Sequence, residues 1–312
     1  MVEIIFFVLT LVGLIVFEIV SSIDNAVINA DVLSTMSKKA RRWFLLWGIL
    51  FAVFVVRGLL PFVIVYSLNP SLGFTGVIEA TIRGDEAVIQ AIEASAPPLL
   101  VGGGTFLIFL FFHWLFMEPK NYGLWGERFF HKRAVWFYAI VSILLAVLVW
   151  FSIKINPLMA FGAVMGSTAF FITHGFKQNA EQKEREILSG DTHMSDWSKI
   201  MYLEVIDTTF SIDGVLGAFA FTLFVPLILI GNGIGAIVVR QVTVSNIENV
   251  KKYRYLKNGA MYSVAFLGMM MVLDGFGAHI PSFVSPVVTL MIICHFFFKS
   301  RAELQSMEKN KK

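Results

Sequence analysis

Hydrophobic residues fall into nine runs near bilayer-spanning length, at roughly 4–32, 43–66, 99–117, 134–152, 156–173, 200–221, 223–241, 258–277 and 282–298. Runs of this kind predict helices, because a membrane span must satisfy its backbone internally. The first run is too long for a straight span; it tilts, or its end past Asp24 leaves the membrane. A short turn around Lys154 and Pro157 separates the fourth and fifth runs, and Pro226 marks a turn between the sixth and seventh. The pattern predicts an all-α polytopic transmembrane bundle of about nine helices, one integral membrane domain over 1–312.

The connectors alternate in charge. Lys38, Lys39, Arg41 and Arg42 follow the first run; Lys120, Arg128, Lys132 and Arg133 the third; Lys177, Lys183, Arg185 and Lys199 the fifth; Lys251, Lys252, Arg254 and Lys257 the seventh. Lys299, Arg301, Lys309, Lys311 and Lys312 follow the ninth, while the alternate loops hold only Arg83 and Lys154. The positive-inside rule then places the N-terminus outside and the C-terminus in the cytoplasm of a bacterial-type plasma membrane. Ile78, Ile82, Ile89 and Ile92 predict an amphipathic surface helix within 67–98. The polar stretch 174–199 reads as a cytoplasmic linker, and the basic tail 299–312 as a segment drawn to anionic lipid.

Composition agrees with this layout. The chain is 57% hydrophobic and 15% charged, and its mean hydropathy is +0.74. A net charge of +3, with no basic run interleaved with aromatics, gives no reason to expect nucleic acid. Cys294 is the one cysteine, which excludes an intrachain disulfide and a thiolate cluster. Glu3 stands where a signal peptide would be basic, so the first run is expected to be a retained helix.

Two apolar runs carry related acidic motifs. The first reads Glu18-Ile-Val-Ser-Ser-Ile-Asp24-Asn25, the second Asp207-Thr-Thr-Phe-Ser-Ile-Asp213-Gly214, preceded by Glu204. Aligned on Ser-Ile-Asp, an acid precedes the aspartate by six positions in both. Carboxylates inside hydrocarbon are costly and by default functional. The first and sixth helices run in opposite directions, so the matched motifs predict an inverted internal repeat: repeat 1 at about 4–117, central helices 134–173, repeat 2 at about 200–277, then the helix 282–298.

On an ideal helix Glu18, Ser21, Ser22, Asn25 and Asn29 share one face, while Asp24 lies about 120° around the axis. A local break would aim both acids at one point, and Ser22 and Ser211 read as N-caps of restarted helices. The plainer reading is that Asp24 ends the first helix near the cytoplasmic surface. For Asp207 and Asp213, near the middle of the sixth run, the plainer reading is a structural ion pair with Arg57 in the second run as the partner.

The donors are oxygens, from Glu18, Ser22, Asp24, Asn25, Asp207, Ser211 and Asp213, with Glu204 and Asn232 further candidates. Such a set suits Mg²⁺, Ca²⁺ or Mn²⁺ rather than Zn²⁺ or Cu⁺. Among the scattered histidines, His113 with nearby Glu118 is the one to watch. Four crowded negative charges suggest exchange of protons for a cation. Gly162/Gly166 and Gly231/Gly235 fit GxxxG helix packing, and Gly102-Gly103-Gly104 a packing or hinge element.

At these motifs the chain resembles the TerC family of integral membrane proteins, named for tellurite resistance and related to LysE-type exporters. Glu18 through Ala26, Glu204 through Asp213, and Asn232 through Arg240 carry the resemblance. The family's small-Pro pair after the second aspartate is replaced by Gly214-Val215, which points to a divergent branch. The resemblance implies efflux of divalent metal, manganese above all, as substrate, with no permanently bound cofactor. Lipid, and a homo-oligomer or membrane partner, are the associations expected. The rival readings are a membrane scaffold in envelope stress that transports nothing, and an intramembrane carboxylate enzyme. No Ser-His-Asp or HExxH pattern appears, and enzymatic activity is not expected.

Overall fold

The computed structural model describes residues 2–48, 51, 58–68, 73, 75–76, 78–79, 96–189, 194–245, 250 and 252–310, leaving aside the side chains of Val2, Asp24, Val65, Leu68, Phe210, 243–245 and 308–310. The described residues form helices and no strand. In chain order these are α1 (Val2–Ser21), α2 (Ile23–Ser34), α3 (Lys38–Trp43), a π-helical turn (Phe44–Gly48), α4 (Gly58–Leu68), α5 (Ala96–Phe116) and α6 (Glu127–His131). There follow α7 (Trp136–Ile155), α8 (Pro157–Ser189), α9 (Asp196–Ala218), α10 (Val225–Ser245), α11 (Leu256–Gly275) and α12 (Val284–Asn310).

Six of these helices are long and apolar enough to cross a bilayer: α1, α5, α7, α8, α10 and α11. The chain is an all-α, multi-pass membrane protein. The sixth run is helical as α9 but falls short on apolarity, because it carries Glu204, Asp207 and Asp213.

The apolar window of α5 is 83% buried and that of α7 only 17%, so α5 is the hub and α7 is peripheral. Helix α5 packs between α8 and α11, and α1 between α10 and α12. Exposed Ile143, Val147, Trp150 and Ile153 give α7 an apolar outer face suited to lipid.

Glycines set the close approaches. A Cβ on Gly102 would come 2.7 Å from the Gly162 carbonyl of α8, and one on Gly166 would overlap the Gly102 carbonyl. A Cβ on Gly104 would meet the Gly268 carbonyl of α11 at 2.7 Å. Gly102-Gly103-Gly104 is thus a packing element serving several neighbours, and Gly162/Gly166 behave as a small-residue helix interface.

Three expectations need correction. Residues 174–189 are not a linker: they continue α8 to Ser189, since no proline interrupts the run. Ser22 does separate α1 from α2, but its side chain caps nothing, and the Ser22 and Ala26 N–H groups still bond four residues back. Ser211 lies inside the unbroken α9, its hydroxyl donating to the Asp207 carbonyl at 2.5 Å. Arg57, and most of the proposed 67–98 surface helix, lie outside the described residues.

One carboxylate organises the loop after α5. Glu127 is buried and accepts from the Gly123 and Leu124 N–H groups (2.7 and 3.1 Å), the Asn258 amide (3.0 Å) and the Tyr262 hydroxyl (3.0 Å). It ties that loop to α11. Glu127→Ala should destabilise the purified protein by roughly 3–5 kcal/mol, because several buried donors lose a charged acceptor. Thermal unfolding in detergent checks this; an unchanged midpoint would remove Glu127 from any structural role.

Candidate cation site

The two acidic motifs face each other across an antiparallel helix contact. Glu18 of α1 lies against Gly214 of α9, and Asn25 of α2 donates its amide to Asp207 of α9. Farther along, Lys199 donates to the Thr35 carbonyl at 3.2 Å and Ser37 to Asp196 at 2.5 Å. Rising numbers on α1–α2 meet falling numbers on α9 throughout. In the aligned motifs Glu18, Ser22 and Asn25 correspond to Asp207, Ser211 and Gly214. Exchanging the motifs carries the Glu18–Gly214 contact into the Asp207–Asn25 contact. This is the self-complementary pairing of a two-fold interface.

Space explains Gly214. A Cβ there would stand 2.7 Å from Glu18 Oε2. Helix α10 closes the other side in parallel with α1: Gly231 meets Leu14 and Gly235 meets Glu18. Glu18 is 1% exposed, and its Oε1 accepts from Ser22 at 2.8 Å.

Around this contact lies a layer of buried polar groups. Asn232 of α10 is 1% exposed, and neither of its amide atoms has a hydrogen-bond partner among the described residues. The same holds for Oδ1 of Asn25 and Asn29 and for both carboxylate oxygens of Glu204. Glu204 lies one turn before Asp207, its carboxylate against Gly48 in the π-helical turn. Arg240 of α10 donates to the Phe44 carbonyl, lies 4.6 Å from the Phe44 ring, and adds positive charge near Glu204 and Asp207. Turns of π-helix often mark functional positions.

Asp213 points elsewhere. Its Oδ2 pairs with Lys177 of α8 at 2.5 Å, in the wall of a separate cavity of about 310 Å³ also lined by Ser21, Glu118, Glu181 and Lys257. There Lys257 meets Glu118 at 2.7 Å, His113 Nδ1 lies 3.5 Å from Glu118, and the His113 and His174 rings are 3.8 Å apart.

The structure therefore sets Glu18, with Ser22, against Gly214 and pairs Asn25 with Asp207 about two turns further along the same helix contact, with Ser211 and Glu204 also on α9 and Asn232 on the adjoining α10. It does not bring Asp213 or His113 to them: Asp213 is turned about 120° around α9 from Asp207 and pairs with Lys177 of α8. The Asp24 side chain is not among the described ones, and Arg57 lies outside them. Among the described residues no three His, Cys, Asp or Glu side chains converge to hold a metal. A cation in this layer would need amide and hydroxyl oxygens beside the carboxylates, as hard cations accept. Sequence reasoning missed two cations. Lys177 reads as a connector residue in the sequence, although no proline between 173 and 189 interrupts the helix; Arg240 is signalled only by the resemblance.

Burial alone would push the Glu118 carboxyl up, but the Lys257 ammonium and the His113 imidazole beside it hold it well below the ordinary carboxylate range. A lowered folded-state value means a stability contribution present at neutral pH and lost as pH falls below roughly 4, where an unfolded Glu takes up its proton. Wild type should accordingly be more stable than Glu118→Gln at pH 7, and the gap should narrow on acidification. Melting midpoints against pH measure it; a gap independent of pH would contradict the assignment.

The fold and this layer define a multi-pass helical membrane protein with paired, oppositely directed acidic motifs buried among its helices. The chain belongs to the family described as "Protein of unknown function (DUF475)", whose model matches residues 23–308. No curated protein and no solved structure matches it.

Proposed function

We propose that the chain is a transporter exporting divalent metal cations, Mn²⁺ foremost, through the layer formed by the two acidic motifs, and that it is kin to the TerC exporters. The observation that carries this reading is the Glu18–Gly214 and Asp207–Asn25 pairing, flanked by buried amide and carboxylate oxygens of Asn25, Asn232 and Glu204 without hydrogen-bond partners among the described residues. Buried polar groups left unpaired are expensive, so a layer of them between opposed helices is suited to an arriving ligand. All its donors are oxygen or amide, which favours hard cations. Opposed motifs in an inverted repeat are where secondary transporters place a midplane site. In the orientation proposed, the N-terminus is outside and the C-terminus cytoplasmic.

The test is purified protein in liposomes loaded with a Mn²⁺-quenched dye, with and without a pH gradient. Saturable Mn²⁺ entry, faster with an opposing proton gradient, is the expected result. No entry of Mn²⁺, Mg²⁺ or Ca²⁺ above protein-free liposomes would overturn the reading in favour of a scaffold.

A further inference from the structure

The ion pair of Lys177 and Asp213 has a use that the acidic layer does not explain. Asp213 is the counterpart of Asp24 when the two motifs are aligned on Ser-Ile-Asp, yet it carries an ammonium from a third helix. Both side chains are mostly buried, at 16% and 14% exposed. They sit in the wall of a cavity wide enough for several waters, about 310 Å³, where Ser21 of α1 also lies. Ser21 adjoins Ser22 and Glu18's turn, so this cavity opens onto the helix that carries the first motif.

We infer that Lys177 is a tethered competitor for the cation at Asp213, holding that carboxylate when no metal is present and yielding it to a divalent ion. The inference rests on the cation-path reading of the neighbouring layer. Three features support it. The ammonium occupies the position a cation bound to Asp213 would take. The contact is an ion pair in a cavity, so an ion can reach it without unpacking a helix face. A place for the displaced ammonium already exists: Glu181, one helical turn along α8, lines the same cavity.

The arrangement discriminates by charge. A monovalent ion attracts the Asp213 carboxylate no more strongly than the ammonium does, and the ammonium is tethered beside it, at high effective concentration. A divalent ion at the same distance has twice the Coulomb attraction. Lys177 would then act as a specificity-determining residue, admitting divalent ions and turning monovalent ones away.

The experiment is amine acetylation of purified full-length protein, read at Lys177 by mass spectrometry, with exposed Lys38 as the internal reference. In K⁺ alone Lys177 should label slowly. Mn²⁺ at matched ionic strength should raise its labelling severalfold without changing Lys38. Asp213→Asn should label fast in K⁺ alone. Labelling of Lys177 that is indifferent to Mn²⁺, or that rises equally with added K⁺, would overturn the inference, as would slow labelling of a well-folded Asp213→Asn. Should Asp213→Asn not fold, the comparison of Mn²⁺ with K⁺ on wild type decides alone. Mn²⁺-dependent labelling in a protein that carries no Mn²⁺ into liposomes would keep this inference and remove the transport reading; flux with unresponsive Lys177 would do the reverse.

Discussion

Gly166→Leu should leave no folded protein in the membrane. A Cβ at position 166 overlaps the carbonyl of Gly102, and one at Gly162 overlaps the carbonyl of Pro98. The obstacles are backbone atoms of α5, a helix packed on its other side by α11 through Gly104 and Gly268, so α5 cannot retreat from α8. Neither rotamer choice nor a small shift relieves the overlap, and a leucine adds three further carbons to it. Overpacking of a backbone contact belongs with the largest single-residue effects, on the order of 4 kcal/mol or more. Gly175 provides the control. It lies on the same helix, and a Cβ there meets nothing within 4 Å. Gly175→Leu should therefore give wild-type levels. The measurement is the monodisperse peak of a fluorescent fusion after detergent extraction, and a normal peak for Gly166→Leu would show that α5 and α8 are not in this contact.

The glycine contacts were legible in the sequence because a small residue every fourth position has few other uses in a membrane helix. The acidic layer was partly legible for the same kind of reason: Glu18, Ser22, Asn25 and Asn29 fall on one face by helical period, and all are buried. What period could not convey is which face of α9 meets them. Asp207 and Asp213 are six residues apart, so an unbroken helix turns them about 120° away from each other. The expected break at Ser211 would have reunited them, but α9 is continuous and Asp213 turns to Lys177. Lys177 itself was hidden by a rule of thumb. Positive residues after an apolar run read as a loop, yet α8 carries its helix well beyond the apolar part, and its first polar turns still pack against the bundle. Glu127 was missed for a different reason. A carboxylate in a polar loop looks solvated until the loop folds back, and no local pattern announces that Asn258 and Tyr262 will close over it.

Glu18→Gln and Asp207→Asn should each reduce Mn²⁺ transport about ten- to a hundredfold, the equivalent of roughly 1.5–3 kcal/mol for a charge-assisted contact. Both changes keep size and an acceptor oxygen. In Asp207→Asn the new amide can still accept from Asn25, and in Glu18→Gln the side chain can still accept from Ser22, so the helix contact survives while one negative charge is lost. The effect should appear in the half-saturating Mn²⁺ concentration more than in protein level, because the substitutions remove attraction for a cation and not packing. Asp31→Asn, on α2 beyond the layer, is the matched control for loss of one acidic charge and should transport as wild type. The motifs exchange places under the internal pairing, so the two substitutions should also resemble each other in size. A large loss at Asp207 with none at Glu18 would mean that α9 alone carries the site and that the opposed pairing is only structural. Wild-type flux in both variants, at normal membrane levels, would mean that no cation passes between these helices.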